Sequence, residues 1–138
     1  MDRVLNETTS AQSKKKELEK LKAQKKKSLD TQKAELEKLE AKLKEKKVAA
    51  NSKEADDFRN KARDFAQKAK AAEESLKKQY MTSTKGLIEK AQGIITKYAS
   101  SENLNLVLER GKTQNNSVLY ASNVLDITDE VIKRMNAS

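Results

Sequence analysis

Residues 55–76 read ADDFRNKARDFAQKAKAAEESL, and an apolar side chain recurs in this stretch every three or four positions. The members of this stripe are Ala55, Phe58, Ala62, Phe65, Ala69, Ala72 and Leu76. Such spacing places them along one face of an α-helix, with charged residues over the rest of its surface. An apolar seam with charged flanks is typical of a coiled coil.

A second stripe precedes the first. Leu29, Leu36 and Leu43 lie seven residues apart, and Ser52 is a good N-cap candidate for the helix that follows. If the chain reverses near residues 51–52, each leucine falls opposite two apolar residues of the first stripe. We therefore predict an antiparallel helical hairpin. Further along, Tyr80, Leu87 and Ile94 again repeat by seven and extend the seam of its second helix.

The end of the chain has a different composition. Residues 1–100 carry a net charge of +10 and residues 101–138 a net charge of −1. Leu104, Leu106 and Leu108 alternate with other residues as in a half-buried strand, and Val118 and Tyr120 lie in a second candidate strand. We expect these five residues to form the core of a small β-body, followed by a helix that Asp126 caps.

Together these patterns predict a mainly α protein with a small β part. The predicted arm covers residues 13–94, and the predicted β-body covers residues 1–12 and 95–138. Two strands and a short helix cannot hold a stable sheet alone. The β-body therefore needs strands from elsewhere in the chain or from other chains.

Gly86 and Gly93 lie seven residues apart inside the second predicted helix, where each costs about 1 kcal/mol relative to alanine. Two explanations remain open. Another backbone could approach closely on their shared face. Alternatively, the two glycines could form a pivot where the arm leaves the body.

The composition excludes several kinds of chemistry. The 138 residues include no His and no Cys, so the sequence offers neither the usual proton shuttle nor a thiolate nucleophile. The glycines match no phosphate-binding loop, and the acidic pairs lie on charged helix faces. We expect no catalytic residues, no metal site, no cofactor and no enzymatic activity.

Basic residues dominate the surface, since 30 Lys and Arg outnumber 21 Asp and Glu. The candidate contact residues are lysines near the predicted tip: Lys42, Lys44, Lys46, Lys47 and Lys53. Such a surface could attract an acidic protein, an anionic lipid surface or nucleic acid, or only keep a structural spacer soluble. Nucleic acid is the less favoured partner because 25 of the 30 basic residues are lysine, which lacks the planar fork of arginine.

Several segments resemble the Skp (OmpH-like) family of periplasmic chaperones. NLVLE at 105–109, VLYAS at 118–122 and DITDEVIKRMN at 126–136 are similar to the C-terminal body of that family. MDRVLNE at 1–7 resembles the segment after the family's first strand, and the charged hairpin resembles its long arm. The tail segments are the most specific part, because a Lys/Glu-rich arm matches many coiled coils.

The resemblance implies a homotrimer whose short strands from three chains assemble into one β-body. Three hairpin arms would enclose a cavity that holds unfolded outer-membrane proteins without ATP, as a holdase in the periplasm. Family members usually carry an apolar strand, and before it a secretory signal, ahead of the segment that matches residues 1–7. Assembly of the β-body is expected to depend on that strand.

Overall fold

The computed structural model of the chain describes residues 1–47, 49–50, 52–110, 118 and 120–138. Within these residues the regular structure is helical throughout. The elements are α1 (Asp2–Glu7), α2 (Thr9–Glu45), α3 (Lys53–Ser101), a short 3₁₀ turn (Asn123–Leu125) and α4 (Thr128–Ala137). Two long helices of 37 and 49 residues confirm the predicted helical part of the fold.

The predicted strands are not seen among the described residues. Residues 104–110, which follow α3, have no regular secondary structure. The same is true of Val118 and Tyr120. Residues 111–117 and 119, which include part of the second predicted strand, lie outside the described residues. A strand needs a hydrogen-bonded partner strand, and the described part of a single chain provides none.

The chain divides into two compact units, which we call the arm (Leu18–Gln79) and the body (Met1–Glu17 with Tyr80–Ser138). In the arm, half-buried positions recur every three or four residues on both helices. On α2 they are Leu18, Leu21, Lys25, Leu29, Gln32, Leu36, Leu39 and Leu43, and on α3 they include the seven residues of the first stripe. Since a lone helix would leave such side chains largely exposed, we infer that the two seams cover each other.

The seam of the arm is thin. None of the described residues between Leu18 and Gln79 is fully buried. A pair of helices can bury only one stripe on each partner, and α3 fills most of its stripe with alanine. The arm is therefore held by many small contacts and has no closed core.

The turn between α2 and α3 is fixed by local hydrogen bonds. The Ser52 hydroxyl accepts a hydrogen bond from the Ala55 N–H at 3.2 Å, which confirms the predicted N-cap. Arg59 donates to the carbonyl oxygen of Ala50 at 2.9 Å and also contacts Asp56. Lys47 has a φ of 47°, in the left-handed region that a chain reversal uses. Val48 and Asn51 lie outside the described residues.

The body has a small core of its own. Val4 of α1, Ala91 of α3, and Val131 and Met135 of α4 are buried together. Partly buried apolar residues surround them, namely Met1, Ile94, Ile95, Ile127 and Ile132. The core brings the first and last helices of the chain together on α3.

Candidate functional site

Polar contacts at both ends of α4 hold it in the body. The Lys90 ammonium donates to the carbonyl oxygen of Ser138 at 3.1 Å, at the negative end of the helix dipole. The Arg134 guanidinium lies 4.6 Å from the centre of the Tyr98 ring. At the other end of α4, Arg3 of α1 donates to Asp129 at 2.8 Å. The apolar core and these contacts together fix α4 against α1 and α3.

Two side chains cap the start of α2, Thr8 directly before the helix and Asn136 of α4. The buried Thr8 hydroxyl accepts from the Ala11 N–H at 3.3 Å, and the Asn136 side chain accepts from the Thr9 N–H at 2.8 Å. These contacts satisfy two of the N–H groups that a helix leaves unpaired at its start. Sequence reasoning missed the Asn136 cap because Asn136 and Thr9 are 127 positions apart along the chain. It also missed the Thr8 cap, although threonine is a good N-cap residue and Ala11 lies only three positions away.

Three carboxylates of the body, Asp126, Glu130 and Glu7, have pKa values below their ordinary range. Hydrogen bonds from Thr128, one of them a backbone bond of 2.9 Å, lower the pKa of Asp126. Arg134 lowers the pKa of Glu130, and Arg3 lowers that of Glu7. Asp126 was expected to cap α4, and it does accept from the first helical N–H although Ile127 occupies the cap position. Each shift favours a charged carboxylate that stabilises α1 or α4 itself, because its main partner lies in the same helix or at the start of that helix.

An exposed apolar surface lies after α3. Leu106 and Leu108 are 72% and 62% exposed, and Tyr120 is 85% exposed. Leu104 is also exposed, whereas Val118 is half-buried. Four of the five residues expected to form the core of a β-body thus remain exposed in the single chain, namely Leu104, Leu106, Leu108 and Tyr120. Val124 and Leu125 of the 3₁₀ turn are exposed too and enlarge this surface. We call these seven residues the tail surface.

Two local features place the tail surface. Asn103 ends α3 with a φ of 54°, and the Leu104 N–H donates to the Ala99 carbonyl at 2.8 Å. This is the hydrogen bond of a Schellman motif, which directs the chain away from the helix axis. Farther on, Arg110 donates to the Ala121 carbonyl oxygen at 3.1 Å. The two segments of the tail surface are thereby linked to each other.

The tip of the arm presents the predicted lysines to solvent. All five are exposed, and Lys44 forms an ion pair of 2.6 Å with Glu40. Among the described residues, the other four have no carboxylate within 4.0 Å of the ammonium group. These are Lys42, Lys46, Lys47 and Lys53, which we call the free tip lysines. They can form ion pairs with an external acidic partner without breaking an existing pair.

Gly86 and Gly93 lie on an exposed face of α3. A methyl group added at either position would meet no described atom within 4 Å beyond the neighbouring residues and the adjacent backbone of α3, and neither residue has a positive φ. Close approach by the described backbone of this chain therefore does not account for the two glycines. Approach by another chain and a pivot remain as predictions.

One apolar face of α3 in the body is uncovered. Tyr80 and Met81 are 63% and 61% exposed, and with Thr84 and Ile88 they line a shallow groove. The heptad repeat had placed Tyr80 on the seam with Leu87 and Ile94, and the structure corrects this. Spacing predicts which residues share a helix face, but it does not say how far along the helix a partner covers that face.

The described residues contain no cluster of three or more potential metal-ligating acidic side chains. No helix among them is long and apolar enough to cross a membrane. Three surfaces of the described residues are open to a partner: the tail surface, the basic arm and the open face of α3.

A comparison with protein families matches the model of the family described as "Outer membrane protein (OmpH-like)" over residues 1–135. This match spans nearly the whole chain and confirms the resemblance found in its sequence. No curated protein and no solved structure matches the chain. The chain belongs to the OmpH-like family.

Proposed function

We propose that this OmpH-like chain is an ATP-independent holdase that captures unfolded outer-membrane proteins in a cavity between the arms of a homotrimer. Membership of the family supports the coarser part, a periplasmic chaperone for outer-membrane proteins that is not an enzyme. The observation that carries the finer part is the tail surface. Its side chains are apolar, and all of them except Val118 are exposed in the single chain.

An apolar surface of this kind calls for a partner. Leu106, Leu108 and Tyr120 each leave more than half of their area in water. Burial of apolar area stabilises an assembly by about 25 cal/mol per Å². Strand segments from three chains would cover these side chains and give every backbone group a partner. The β-body and its core residues Leu104, Leu106, Leu108, Val118 and Tyr120 are therefore proposed as features of the trimer.

The arm is suited to clients without a fixed shape. Its net charge is +7, with 19 basic and 12 acidic residues between Leu18 and Gln79. Positive charge speeds encounter with acidic chains, and the effect weakens as salt increases. The thin seam lets the arm bend at a low free-energy cost, since regions with few buried contacts open most easily. We place client contacts on the arm, including the free tip lysines.

An aggregation assay tests this function. An unfolded outer-membrane β-barrel protein is diluted from urea with and without three equivalents of the chain, and light scattering is followed. We expect scattering to be suppressed without ATP, and suppression to weaken at high salt. Equal scattering with and without the chain would contradict the proposal.

A matched variant tests the role of assembly in that assay. Replacing Leu106 and Tyr120 with aspartate puts charge on the tail surface and leaves the buried core of the body unchanged. We expect the variant to be monomeric by light scattering on a sizing column, with its helicity retained and its holding activity lost. A monomer that still suppresses aggregation would remove the trimer from the mechanism.

The free tip lysines also support a second candidate, binding of an anionic surface such as lipid or nucleic acid. Vesicles with and without anionic lipid, and a gel shift with mixed RNA at physiological salt, separate this activity from client holding. Binding that the substitution of all four lysines by glutamine abolishes would support it. Unchanged migration and no sedimentation with vesicles would exclude it.

A further inference from the structure

Helix α4 packs on the body through one apolar face. Ile127, Val131 and Met135 lie four residues apart and therefore on one side of the helix, and Val131 and Met135 are buried against residues of α1 and α3. A helix of ten residues is marginal in water by itself. Packing must therefore supply most of its stability, as a groove does for a helical peptide ligand.

The segment around α4 makes part of its own polar framework. Asp126 accepts a hydrogen bond from the Thr128 N–H at 2.9 Å, at the first turn of the helix. Arg134 donates to Glu130 one turn earlier at 2.8 Å. Neither contact needs another part of the chain. The segment can therefore form its helix wherever its apolar face finds a groove.

The connection between α4 and α3 contains little regular structure. Between Ser101 and Thr128, the described residues form one regular element, the 3₁₀ turn. The hydrogen bonds of Asp129 to Arg3 and of Asn136 to Thr9 are contacts of side chains at the two ends of α4. Breaking these contacts opens no backbone hydrogen bond of α3. Helix α4 can therefore leave the body as a unit while α3 stays folded.

Removal of α4 would uncover an apolar groove in the body. The groove consists of the apolar side chains of α1 and α3 that share a cluster with the buried residues of α4, namely Val4, Ala91, Ile94 and Ile95. A cation lies at each end of it. Arg3 donates to Asp129 in the first turn of α4, and Lys90 donates to the Ser138 carbonyl oxygen at 3.1 Å. The groove thus fits an amphipathic helix in one direction, with its acidic first turn at Arg3.

We infer that α4 is a detachable helix, and that the groove it leaves on α1 and α3 is a docking site for the α4 helix of a second copy of the chain. This inference does not rest on the proposed holdase function. An α4 from outside binds only those molecules whose own α4 is released. Release also removes the Asn136 cap of α2, so it loosens the start of that helix. Exchange of α4 between copies is a form of domain swapping, which links chains without a new kind of contact.

The test uses the whole chain and a fluorescein-labelled peptide of residues 126–138, which stands for the α4 of a second copy. Met135→Ala in the chain weakens the docking of its own α4, and alanine is a good helix former. The matched control is Lys133→Ala, at a position of α4 whose side chain is exposed. A second peptide carries Val131→Asp with Met135→Asp and lacks the apolar face.

Fluorescence anisotropy gives the dissociation constant of each pair. We expect the α4 peptide to bind the Met135→Ala chain roughly thirtyfold more tightly than the parent, because more of its grooves are open. The parent and Lys133→Ala should bind it equally weakly, and the aspartate peptide should bind none of the chains. Equal affinity of the parent and Met135→Ala, or binding to neither, would overturn the inference. Loss of most of the helicity of Met135→Ala in circular dichroism would also overturn it, since α4 would then be inseparable from the rest of the fold.

Hydrogen exchange followed by NMR tests the release of α4 in the unmodified chain. The Thr9 amide donates to Asn136, so it should become open to exchange when α4 leaves. We expect the amides of α4 to be at least about tenfold less protected than that of Ala91 in the buried part of α3. Met135→Ala should lower the protection of α4 and of Thr9 by the same factor. Equal protection of α4 and Ala91, or an unchanged Thr9, would contradict release of α4 as a unit.

Discussion

Replacing Gly86 and Gly93 with alanine tests whether these residues allow another chain to approach closely or form a pivot. The two explanations predict changes of opposite sign in the stability of the protein. Both lie in the interior of α3, and both have ordinary helical backbone with negative φ. A methyl group at either position has no described atom within 4 Å beyond the neighbouring residues and the adjacent backbone of α3. Each substitution should therefore stabilise the helix by about 1 kcal/mol, through lower backbone entropy of the unfolded chain and better helix propensity.

The double variant should gain about 2 kcal/mol if opening of the helix includes both positions, because distant sites add. That gain lowers the population of open α3 by a factor of roughly 30. Hydrogen exchange measured by mass spectrometry should show slower exchange of the amides between residues 82 and 97. Peptides from α4 that do not exchange through the same opening serve as an internal reference.

The same variant tests the pivot. If the arm moves at these glycines, a stiffer helix should hold a small unfolded barrel protein as well as before and a large one less well. Aggregation assays with two clients of different size measure this. As a matched control, Ala71→Gly introduces flexibility at an exposed position of α3 within the arm and should destabilise it by about 1 kcal/mol.

The opposite sign would refute this reasoning. If alanine at Gly86 or Gly93 destabilised the protein and lowered its molar mass, the added methyl groups would be colliding with another chain. The glycines would then be sites of close approach in the assembly. If stability increased while both clients were held as before, the pivot would be wrong.

The other predictions concern the packing of α4, the carboxylates of Asp126 and Glu130, and the free tip lysines. Met135→Ala should destabilise the body by about 2–5 kcal/mol, because Met135 is fully buried in the core. Lys133→Ala, on the exposed side of α4, should change the free energy of unfolding by less than about 0.5 kcal/mol. Unfolding in urea measures both variants. Equal effects would contradict the placement of the core. Stability should fall with acid, because the pKa values of Asp126 and Glu130 are lowered in the folded state from ordinary values of 3.8 and 4.5. The stabilisation is complete at pH values above the ordinary pKa values, and it is lost as the pH falls through the lowered pKa values of the folded state. Unfolding in urea at pH values from 7 to 2 should therefore show a free energy of unfolding that declines from about pH 5 downwards. A decline that begins above pH 6 would implicate other groups. Replacing the free tip lysines with glutamine should slow client capture at low salt, and the difference should shrink as salt screens the charges; stopped-flow fluorescence at several salt concentrations measures the rate. A rate that is unchanged at low salt would remove these lysines from capture.

Local sequence patterns were sufficient to predict the helical arm. The repeat of Leu29, Leu36 and Leu43 matches the half-buried face of α2, and Ser52 caps α3 as its chemistry suggests. Both features depend on residues a few positions apart. Helix formation and capping are local events, so periodicity and residue type carry most of the information.

Contacts between distant parts of the chain were not predicted. Nothing local marks Asn136 as the residue that caps α2, or Lys90 as the residue that holds the end of α4. Tyr80 has the spacing of a seam residue, yet it is exposed, whereas Leu76 before it and Leu87 after it on the same face are half-buried. For such residues the fold must be known before their role can be argued.

The tail surface shows a different limit. Alternation at Leu104, Leu106 and Leu108 is typical of a strand, but a strand exists only when another strand pairs with it. In the single chain these leucines are exposed, and the sequence pattern describes what they would do in an assembly. The proposed function depends on the same assembly, because the trimer that pairs these strands would also create the cavity for clients.

Native mass spectrometry of the chain mixed with one unfolded outer-membrane β-barrel protein for every three copies of the chain tests that central claim most directly. We predict a complex whose mass is three times 15.5 kDa plus one client, with free trimer as the other main species. A client bound to a single copy of the chain, or no complex beside free monomer, would contradict a holdase built on a shared body.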